Sequence, residues 1–276
     1  MVKLICTDID GTFLNKQREV DIYTKEVFQR FCGRFEVVLA SSRMPKALWH
    51  IQKELGIIKM PLICYNGALV LSGGEMFSQE KIVSSVIIDE DKIAEIIEVT
   101  GQYDVHISMF YNNTWIASKS DLWAEREANN TRVKPDLILD RKLNVEKDKG
   151  IVGAAHKIML MGNPSEIEAI EKVLSPKMFV SICRSKDTYL EITPIGTNKS
   201  KGLSSLLEQI HRYREITMEN IMAFGDNHND YELLNDVKYG IAVGNGVQRI
   251  KEIAYAVARS NHENGVAHYL NEFFED

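Results

Sequence analysis

The amino-acid sequence predicts an α/β protein with a parallel-sheet core and an inserted α+β cap domain. Apolar strands alternate with amphipathic helices over residues 1–81 and again over 188–276, a pattern typical of parallel strands joined by right-handed crossovers. Residues 82–187 instead contain alternating strand patterns and two helical stretches. We therefore expect one core domain built from both ends of the chain and a cap domain between them.

The first half of the core is predicted from local periodicity and turn residues. Pro45 suits the first turn of a helix, and Gly56 suits its end. The expected elements are strands over 2–7, 35–40 and 61–65 and helices over 21–33 and 46–55.

The remaining elements follow from the same signals. In the cap we expect strands over 105–111, 114–118, 157–161 and 179–183 and helices over 91–100 and 164–174. In the second half of the core we expect strands over 221–224 and 239–243 and helices over 200–212, from the loop after 224 to 234, and over 247–254.

Composition excludes several classes of protein. The chain has 276 residues, of which 45% are hydrophobic and 26% charged, and its net charge of −6 argues against a nucleic-acid binder. No apolar run is long enough for a membrane span, and the amino terminus is too short for a signal-peptide core. Cys6 and Cys64 lie in apolar runs, which favours buried free thiols over disulfides. We expect a cytoplasmic protein without an evident obligate protein partner.

Two groups of aspartates follow predicted strands. Asp8 and Asp10, in the segment DIDGT, come directly after the first strand, and Asp226 and Asp230, in GDNHND, come after the strand at 221–224. In open α/β sheets the ligand site lies at the carboxyl ends of the strands. If both strands belong to one sheet, four carboxylates therefore converge at one edge. Such a cluster requires a cation or bound protons, and oxygen ligands of this kind suit Mg²⁺. Either group alone would be an ordinary turn or helix cap.

Two weaker features would complete a phosphate site. Ser41 and Ser42 end the second strand and precede a helix, where hydroxyl and backbone N–H groups can bind an anion. Lys199 opens a predicted helix near the return into the core. Serine loops and surface lysines are common, and neighbouring Lys201 is an example, so only the aspartates make these residues candidates.

Together these residues resemble the haloacid dehalogenase-like superfamily, and in particular its Cof-type phosphatase branch. The resemblance rests on Asp8-x-Asp10-Gly11-Thr12, Ser41, Lys199 and Gly225-Asp226-x-x-Asn229-Asp230, on Asn66-Gly67-Ala68, and on a central insertion of the right size. It implies a Rossmann-like parallel-sheet core of the haloacid dehalogenase type, with a cap that selects the substrate. The chain departs from the branch at Ala40-Ser41-Ser42-Arg43, where the branch usually reads Ala-Thr-Gly-Arg.

The resemblance also implies a mechanism. Asp8 would attack phosphorus to form an aspartyl-phosphate, and Asp10 would act as general acid and base. We expect crowding by other carboxylates to raise the pKa of Asp10. Mg²⁺ would be held by the Asp8 side chain, the Asp10 backbone carbonyl and the Asp226 side chain. The expected phosphate-binding residues are Ile9 (through its backbone), Ser41, Ser42, Lys199 and Asn229, and the expected supporting residues are Gly11, Thr12, Arg43, Asn66, Gly67 and Asp230.

The expected activity is hydrolysis of a small phosphorylated metabolite, such as a sugar phosphate. In the cap, Trp115, Trp123 and Arg126 could line a pocket, although aromatic residues in such a unit are more often core. A phosphomutase or phosphotransferase on the same scaffold is the nearest alternative. A non-enzymatic phospho-acceptor of the receiver type fits poorly, because Asp8 follows the first strand and a large cap is present. A catalytically silent binding protein is disfavoured by the presence of both Asp8 and Asp10.

Overall fold

The computed structural model describes residues 1–31, 33–74, 76–141, 143 and 153–275. Within these residues the strands are β1 (Leu4–Thr7), β2 (Glu36–Ala40), β3 (Leu62–Cys64), β4 (Leu69–Leu71), β5 (Ile82–Ser85), β6 (Ile88–Asp89), β7 (His106–Tyr111), β8 (Thr114–Ala117), β9 (Leu137–Ile138), β10 (Ala154–Ala155), β11 (Lys157–Met161), β12 (Val180–Lys186), β13 (Tyr189–Pro194), β14 (Ile221–Gly225), β15 (Tyr239–Ala242) and β16 (Ala256–Val257).

The α-helices of the same residues alternate with these strands. They are α1 (Ile22–Phe31), α2 (Lys46–Leu55), α3 (Glu90–Thr100), α4 (Leu122–Thr131), α5 (Pro164–Leu174), α6 (Lys199–Gln209), α7 (Tyr231–Asp236), α8 (Gln248–Ile253) and α9 (Gly265–Glu275). None of the helices in the described part of the chain is both long enough and apolar enough to cross a membrane.

The chain divides into two compact units, 1–84 with 198–276 (unit 1) and 85–197 (unit 2). The first boundary lies three residues from the predicted one at 81/82. The second lies ten residues beyond the predicted one at 187/188, because β12 continues through a hairpin into β13, which pairs with β12 and β11 inside unit 2.

Unit 1 is built on an eight-stranded sheet in the order β16-β15-β14-β1-β2-β3-β4-β5. β1 is central and pairs in parallel with β14 on one side and β2 on the other. Every residue of β1 is buried, as expected of a parallel strand covered on both faces. β3 and β4 form an antiparallel hairpin. The neighbouring strands β1 and β14 come from opposite ends of the chain, so the sheet of unit 1 forms only when both of its chain segments are present.

Unit 2 contains a six-stranded sheet in the order β12-β13-β11-β7-β8-β9 and the two-stranded pair β10-β6. The large sheet is antiparallel except between β8 and β9. Its core joins apolar residues of α3 and α5 to those of β7, β11 and β13. The mixed α+β character predicted for this part of the chain is confirmed.

Candidate active site

The carboxyl ends of three adjacent strands of unit 1 bring the predicted polar residues together. Asp8 follows β1, Asp226 follows β14 and Ser41 follows β2. The β1–β14 register pairs Thr7 with Phe224, and the Asp8 N–H donates to the Phe224 carbonyl at 3.0 Å. Parallel pairing therefore delivers both aspartates to one edge of the sheet, as the topology of open α/β sheets requires.

Three buried or half-buried carboxylates form one cluster at this edge. Ligand atoms of Asp8, Asp226 and Asp230 all lie within 4.8 Å of one another. Burial raises the pKa of Asp8, opposed by the Lys199 ammonium and reinforced by Asp230 and Asp226. Burial, followed by the charge of Asp230, raises the pKa of Asp226 to about 6, although Thr12 donates a hydrogen bond to it at 2.8 Å. The cluster therefore resists holding all its negative charge without a cation.

Lys199, the first residue of α6, is a buried cation beside this cluster. Its side chain is 0% exposed, and its Nζ contacts Asp8 Oδ1 and, at 2.6 Å, Asp230 Oδ1. Burial alone would lower the pKa of Lys199, but the charges of Asp230 and Asp8 outweigh burial and raise it. These contacts agree with the prediction that Lys199 belongs to the site rather than to the solvent-exposed surface.

The donor set fits a divalent cation. Three carboxylates and one ammonium leave two negative charges in the cluster, which a divalent ion would balance. The donors are oxygens, as hard cations prefer. Asp230 also accepts from the backbone N–H groups of Asp226 and Asn227 at 3.0 and 3.1 Å, which fixes the loop after β14.

The expectation that crowding raises the pKa of Asp10 was wrong, and Asp10 is not among the three carboxylates whose ligand atoms lie within 4.8 Å of one another. Both carboxylate oxygens of Asp10 are paired with Arg43, at 2.6 and 2.7 Å, and Oδ1 also accepts from Arg18 at 3.1 Å. Burial would raise the pKa of Asp10, but the hydrogen bonds and charge of Arg43, with Arg18 and Lys199 adding to them, lower it below its ordinary value. Asp10 is thus an ion-paired carboxylate held by two arginines, and its pKa is not set by neighbouring carboxylates.

The remaining predicted residues surround the same edge. Ser41 is buried and its Oγ accepts from the Arg43 N–H at 3.2 Å, whereas Ser42 is half-buried. The Ile9 side chain is buried, and its carbonyl accepts from Phe13 and Leu14 at 3.1 and 3.0 Å. These contacts order the loop whose backbone the sequence assigns to phosphate.

A second loop joins two of the predicted residues. Asn229 donates to Asn66 Oδ1 at 3.0 Å, which connects the loop after β14 to the one after β3. Asn66 and Gly67 both have a left-handed backbone, with φ of 54° and 95°. A Cβ on Gly67 would lie 2.1 Å from the Asn198 carbonyl oxygen, so only glycine allows α6 to begin this close to the loop.

Sequence reasoning missed two residues that contact the site. Arg18 reaches Asp10 from a loop that offers no motif. Asn245 donates to the Gly11 carbonyl at 2.7 Å and accepts from the Asn261 N–H at 2.9 Å. Asn245 lies in a Gly-Asn-Gly turn shortly after β15. The rule that ligand sites lie at the carboxyl ends of parallel strands could have identified it. In unit 2, Trp115 belongs to the core and donates to Ser108 at 2.9 Å, while Arg126 lies over the Trp123 ring.

We predict that Gly11→Ala displaces the Asp226 carboxylate. Gly11 has φ of +86°, and a Cβ there would lie 2.5 Å from Asp226 Oδ2. Gly33→Ala is a matched control, because Gly33 has φ of +85° but nothing within 4 Å of its Cβ position. Both variants should pay roughly 1–3 kcal/mol of backbone strain.

Only Gly11→Ala should also weaken binding of a divalent ion. Thermal unfolding with and without MgCl₂ measures this effect, since an ion bound to the folded state raises the Tm. We expect the MgCl₂-dependent rise to shrink in Gly11→Ala and to stay at the wild-type value in Gly33→Ala. An equal rise in both variants would contradict the predicted displacement.

Comparison with known proteins agrees with this fold. A family model described as haloacid dehalogenase-like hydrolase matches residues 5–270. A Haemophilus influenzae protein is 28% identical over 280 residues, covering 100% of both chains. The 5-amino-6-(5-phospho-D-ribitylamino)uracil phosphatase YitU of Bacillus subtilis is 26% identical, over 98% of this chain and 97% of its own.

A solved structure supports the fold independently. The crystal structure of a haloacid dehalogenase-like hydrolase from Bacteroides thetaiotaomicron superposes with a TM-score of 0.86 at 23% identity, covering 99% of this chain and 100% of the other. The chain belongs to the haloacid dehalogenase-like hydrolase family. It is an enzyme, a phosphatase of the haloacid dehalogenase type, as its sequence predicted.

Proposed function

We propose that this enzyme is a Mg²⁺-dependent phosphatase that hydrolyses a small phosphomonoester through an aspartyl-phosphate on Asp8. The observation that carries the proposal is the approach of Asp8, Asp226 and Asp230 to within 4.8 Å around the buried Lys199. This arrangement offers a nucleophilic carboxylate, a divalent-cation site and a fixed positive charge within one small volume.

The first step transfers the phosphoryl group to the enzyme. An oxygen of Asp8 forms a bond to phosphorus and the bond from phosphorus to the leaving oxygen breaks. Asp10 gives that oxygen a proton, so this step requires the protonated form of Asp10, which Arg43 disfavours before the substrate binds. Lys199, Ser41 and the N–H groups of the loops after β1 and β2, including those of Ile9 and Ser42, stabilise the charge on the phosphoryl oxygens. The amide of Asn229 is held by Asn66 near the same edge.

The second step returns the enzyme to its starting state. Asp10 takes a proton from a water molecule, which attacks phosphorus, and the bond between phosphorus and the Asp8 oxygen breaks to release inorganic phosphate. The Asp8 and Asp226 side chains with the Asp10 carbonyl would hold Mg²⁺, which when bound offsets charge on the phosphate. Asp230 keeps the Asp226 loop in place by accepting its N–H groups.

The proposed substrate class rests on the family to which the chain belongs and on the names of its relatives. The substrate we propose is a small phosphorylated metabolite. The name of the Bacillus relative specifies a phosphorylated ribityl compound. In this proposal unit 2 acts as the cap that selects among such compounds.

We predict that phosphate release from this class depends on a divalent ion. Purified enzyme is assayed with hexose and pentose phosphates, flavin mononucleotide, pyridoxal phosphate and 5-amino-6-(5-phospho-D-ribitylamino)uracil. Excess chelator should reduce phosphate release to background, and MgCl₂ should restore it, because the uncompensated carboxylate cluster repels the anionic substrate.

The same assay distinguishes the proposal from its nearest alternative. Hydrolysis requires free phosphate to appear without any added acceptor. Phosphate transfer only upon addition of a second sugar or sugar phosphate would instead identify a phosphomutase or phosphotransferase. Turnover that persists undiminished in chelator would contradict the metal requirement.

A further inference from the structure

The carboxylate of Asp10 lies between two arginines in unequal settings. Arg43 donates from Nε to Oδ2 at 2.6 Å and from Nη2 to Oδ1 at 2.7 Å, a bidentate pair. Arg18 adds one bond, from Nη1 to Oδ1 at 3.1 Å. The Arg43 side chain is 4% exposed and that of Arg18 is 41% exposed. Arg43 is therefore the fixed member and Arg18 the peripheral one.

The Arg43 guanidinium is held on its protein side as well. The Arg43 backbone N–H donates to Ser41 Oγ at 3.2 Å, and its carbonyl accepts from the Tyr65 N–H at 3.3 Å. Nη1 also points to the Ala47 carbonyl at 3.5 Å. The backbone bonds fix the point from which the side chain extends, and a swing of the guanidinium away from Asp10 would break its two bonds to Asp10 and the one to Ala47.

This anchoring determines where Asp10 can point. The Asp10 side chain is 36% exposed, so the carboxylate keeps an open side although Arg43 covers the other. A planar guanidinium binding through two parallel N–H groups sets both the position and the plane of a carboxylate, which a point charge such as an ammonium does not. General acid catalysis requires such positioning, because proton transfer depends on hydrogen-bond distance to the leaving oxygen.

We infer that Arg43 is a positioning residue that fixes the plane of the Asp10 carboxylate for proton transfer to the leaving group. This inference rests on the proposed function of Asp10. Arg43 acts through Asp10 and needs no contact with the substrate. The loss of kcat/KM on substitution of Arg43 should therefore be larger for substrates whose leaving group needs a proton from Asp10.

Leaving-group dependence is the readout that a purely structural role would not change. An alkyl phosphate expels a basic alkoxide and needs a proton from Asp10, whereas 4-nitrophenyl phosphate expels a stable phenolate and needs little help. The experiment compares kcat/KM for these two substrates. Because kcat/KM covers only the steps up to release of the leaving group, the later hydrolysis at Asp8 does not enter it.

Asp10→Asn sets the scale of the effect. It should lower kcat/KM for the alkyl phosphate by about 10²–10⁴-fold and affect 4-nitrophenyl phosphate far less. The ratio used here is kcat/KM for 4-nitrophenyl phosphate divided by kcat/KM for the alkyl phosphate. Arg43→Gln should raise this ratio at least about tenfold, since a misplaced catalytic group costs up to about 10²-fold in rate. Arg43→Lys keeps the charge but loses the planar fork, so it should raise the ratio as well.

A double variant tests whether Arg43 acts through Asp10. If it does, Asp10→Asn with Arg43→Gln should be no slower on the alkyl phosphate than Asp10→Asn alone, since coupled residues are not additive. Arg30→Gln is the matched control: Arg30 is 52% exposed and pairs with Glu275 at the surface, so the substrate ratio should stay at the wild-type value.

The outcomes separate the inference from the proposed function. Suppose that Asp10→Asn changes the ratio of the two kcat/KM values. If both Arg43 variants then lower kcat/KM equally for the two substrates, the inference is wrong and the function of Asp10 stands. The same holds if the effect of Arg43→Gln adds fully to that of Asp10→Asn in the double variant. If Asp10→Asn itself leaves the ratio unchanged, the proposed role of Asp10 fails, and the inference with it. Should Arg43→Gln fold poorly by calorimetry, Arg43→Lys decides between these results.

Discussion

Asp8→Asn should abolish turnover, with a loss in kcat of at least about 10⁴-fold, the scale seen when a covalent nucleophile is removed. An amide has no negative oxygen with which to attack phosphorus. We expect neither neighbour to replace it, because Asp230 is bound to Lys199 and to two backbone N–H groups, and Asp226 is a proposed ligand of Mg²⁺. Loss of one negative charge from a crowded cluster should leave the fold intact, which thermal unfolding checks.

The intermediate gives a direct test of the same variant. Acid quenching during turnover should trap a phosphate on the peptide that contains Asp8, visible by mass spectrometry and removed by hydroxylamine. The trapped phosphate should be absent from Asp8→Asn and present in Asp91→Asn, an exposed carboxylate of unit 2. Turnover that survives in Asp8→Asn, or a phosphate trapped elsewhere, would refute the covalent route.

Lys199→Met should destabilise the enzyme strongly in the absence of metal. The Lys199 ammonium is the buried partner of Asp8 and Asp230, whose side chains are 7% and 0% exposed. Removing one partner of a buried ion pair leaves uncompensated charge and costs about 3–5 kcal/mol. For a protein of this size the Tm should fall by roughly 6–20 °C in chelator.

The neighbouring lysine provides the control for this effect. Lys201→Met changes an exposed lysine on the same helix and should shift the Tm by no more than a few degrees. Addition of MgCl₂ should recover part of the stability lost in Lys199→Met, since a cation bound among the carboxylates replaces some of the missing charge. A Lys199→Met variant as stable in chelator as Lys201→Met would show that the cluster does not depend on this ammonium.

The sequence predicted the sheet core and the edge of the site because both depend on local rules. Apolar runs identified the strands, and Asp8 and Asp226 lie directly after β1 and β14, where ligands bind in parallel sheets. Proximity of Asp8 and Asp226 then required only that the two strands be neighbours. The sequence alone supplied this only as a condition, that both strands belong to one sheet, and the pairing of β1 with β14 meets it.

Features that depend on side-chain direction were not predictable in this way. The sequence contains Asp10 and Arg43 but no signal that they pair, and counting nearby carboxylates alone gave the wrong direction for the pKa of Asp10. The predicted boundary at 187/188 differs from the division at 197/198 for a similar reason. The segment YLEITP has the alternation of any strand, and only its pairing with β12 and β11 assigns it to unit 2.

The central position of β1 between β14 and β2 also has a consequence for biosynthesis. Unit 2 is one continuous segment, so it can fold on the ribosome once its last residue has emerged. β1 can pair with β2 early, but its other sheet neighbour, β14, is translated only near the end of the chain, and Lys199 follows Asp8 by 191 residues. A nascent chain therefore contains Asp8 from the start, but the cluster of Asp8, Asp226 and Asp230 cannot assemble until translation has passed the loop after β14.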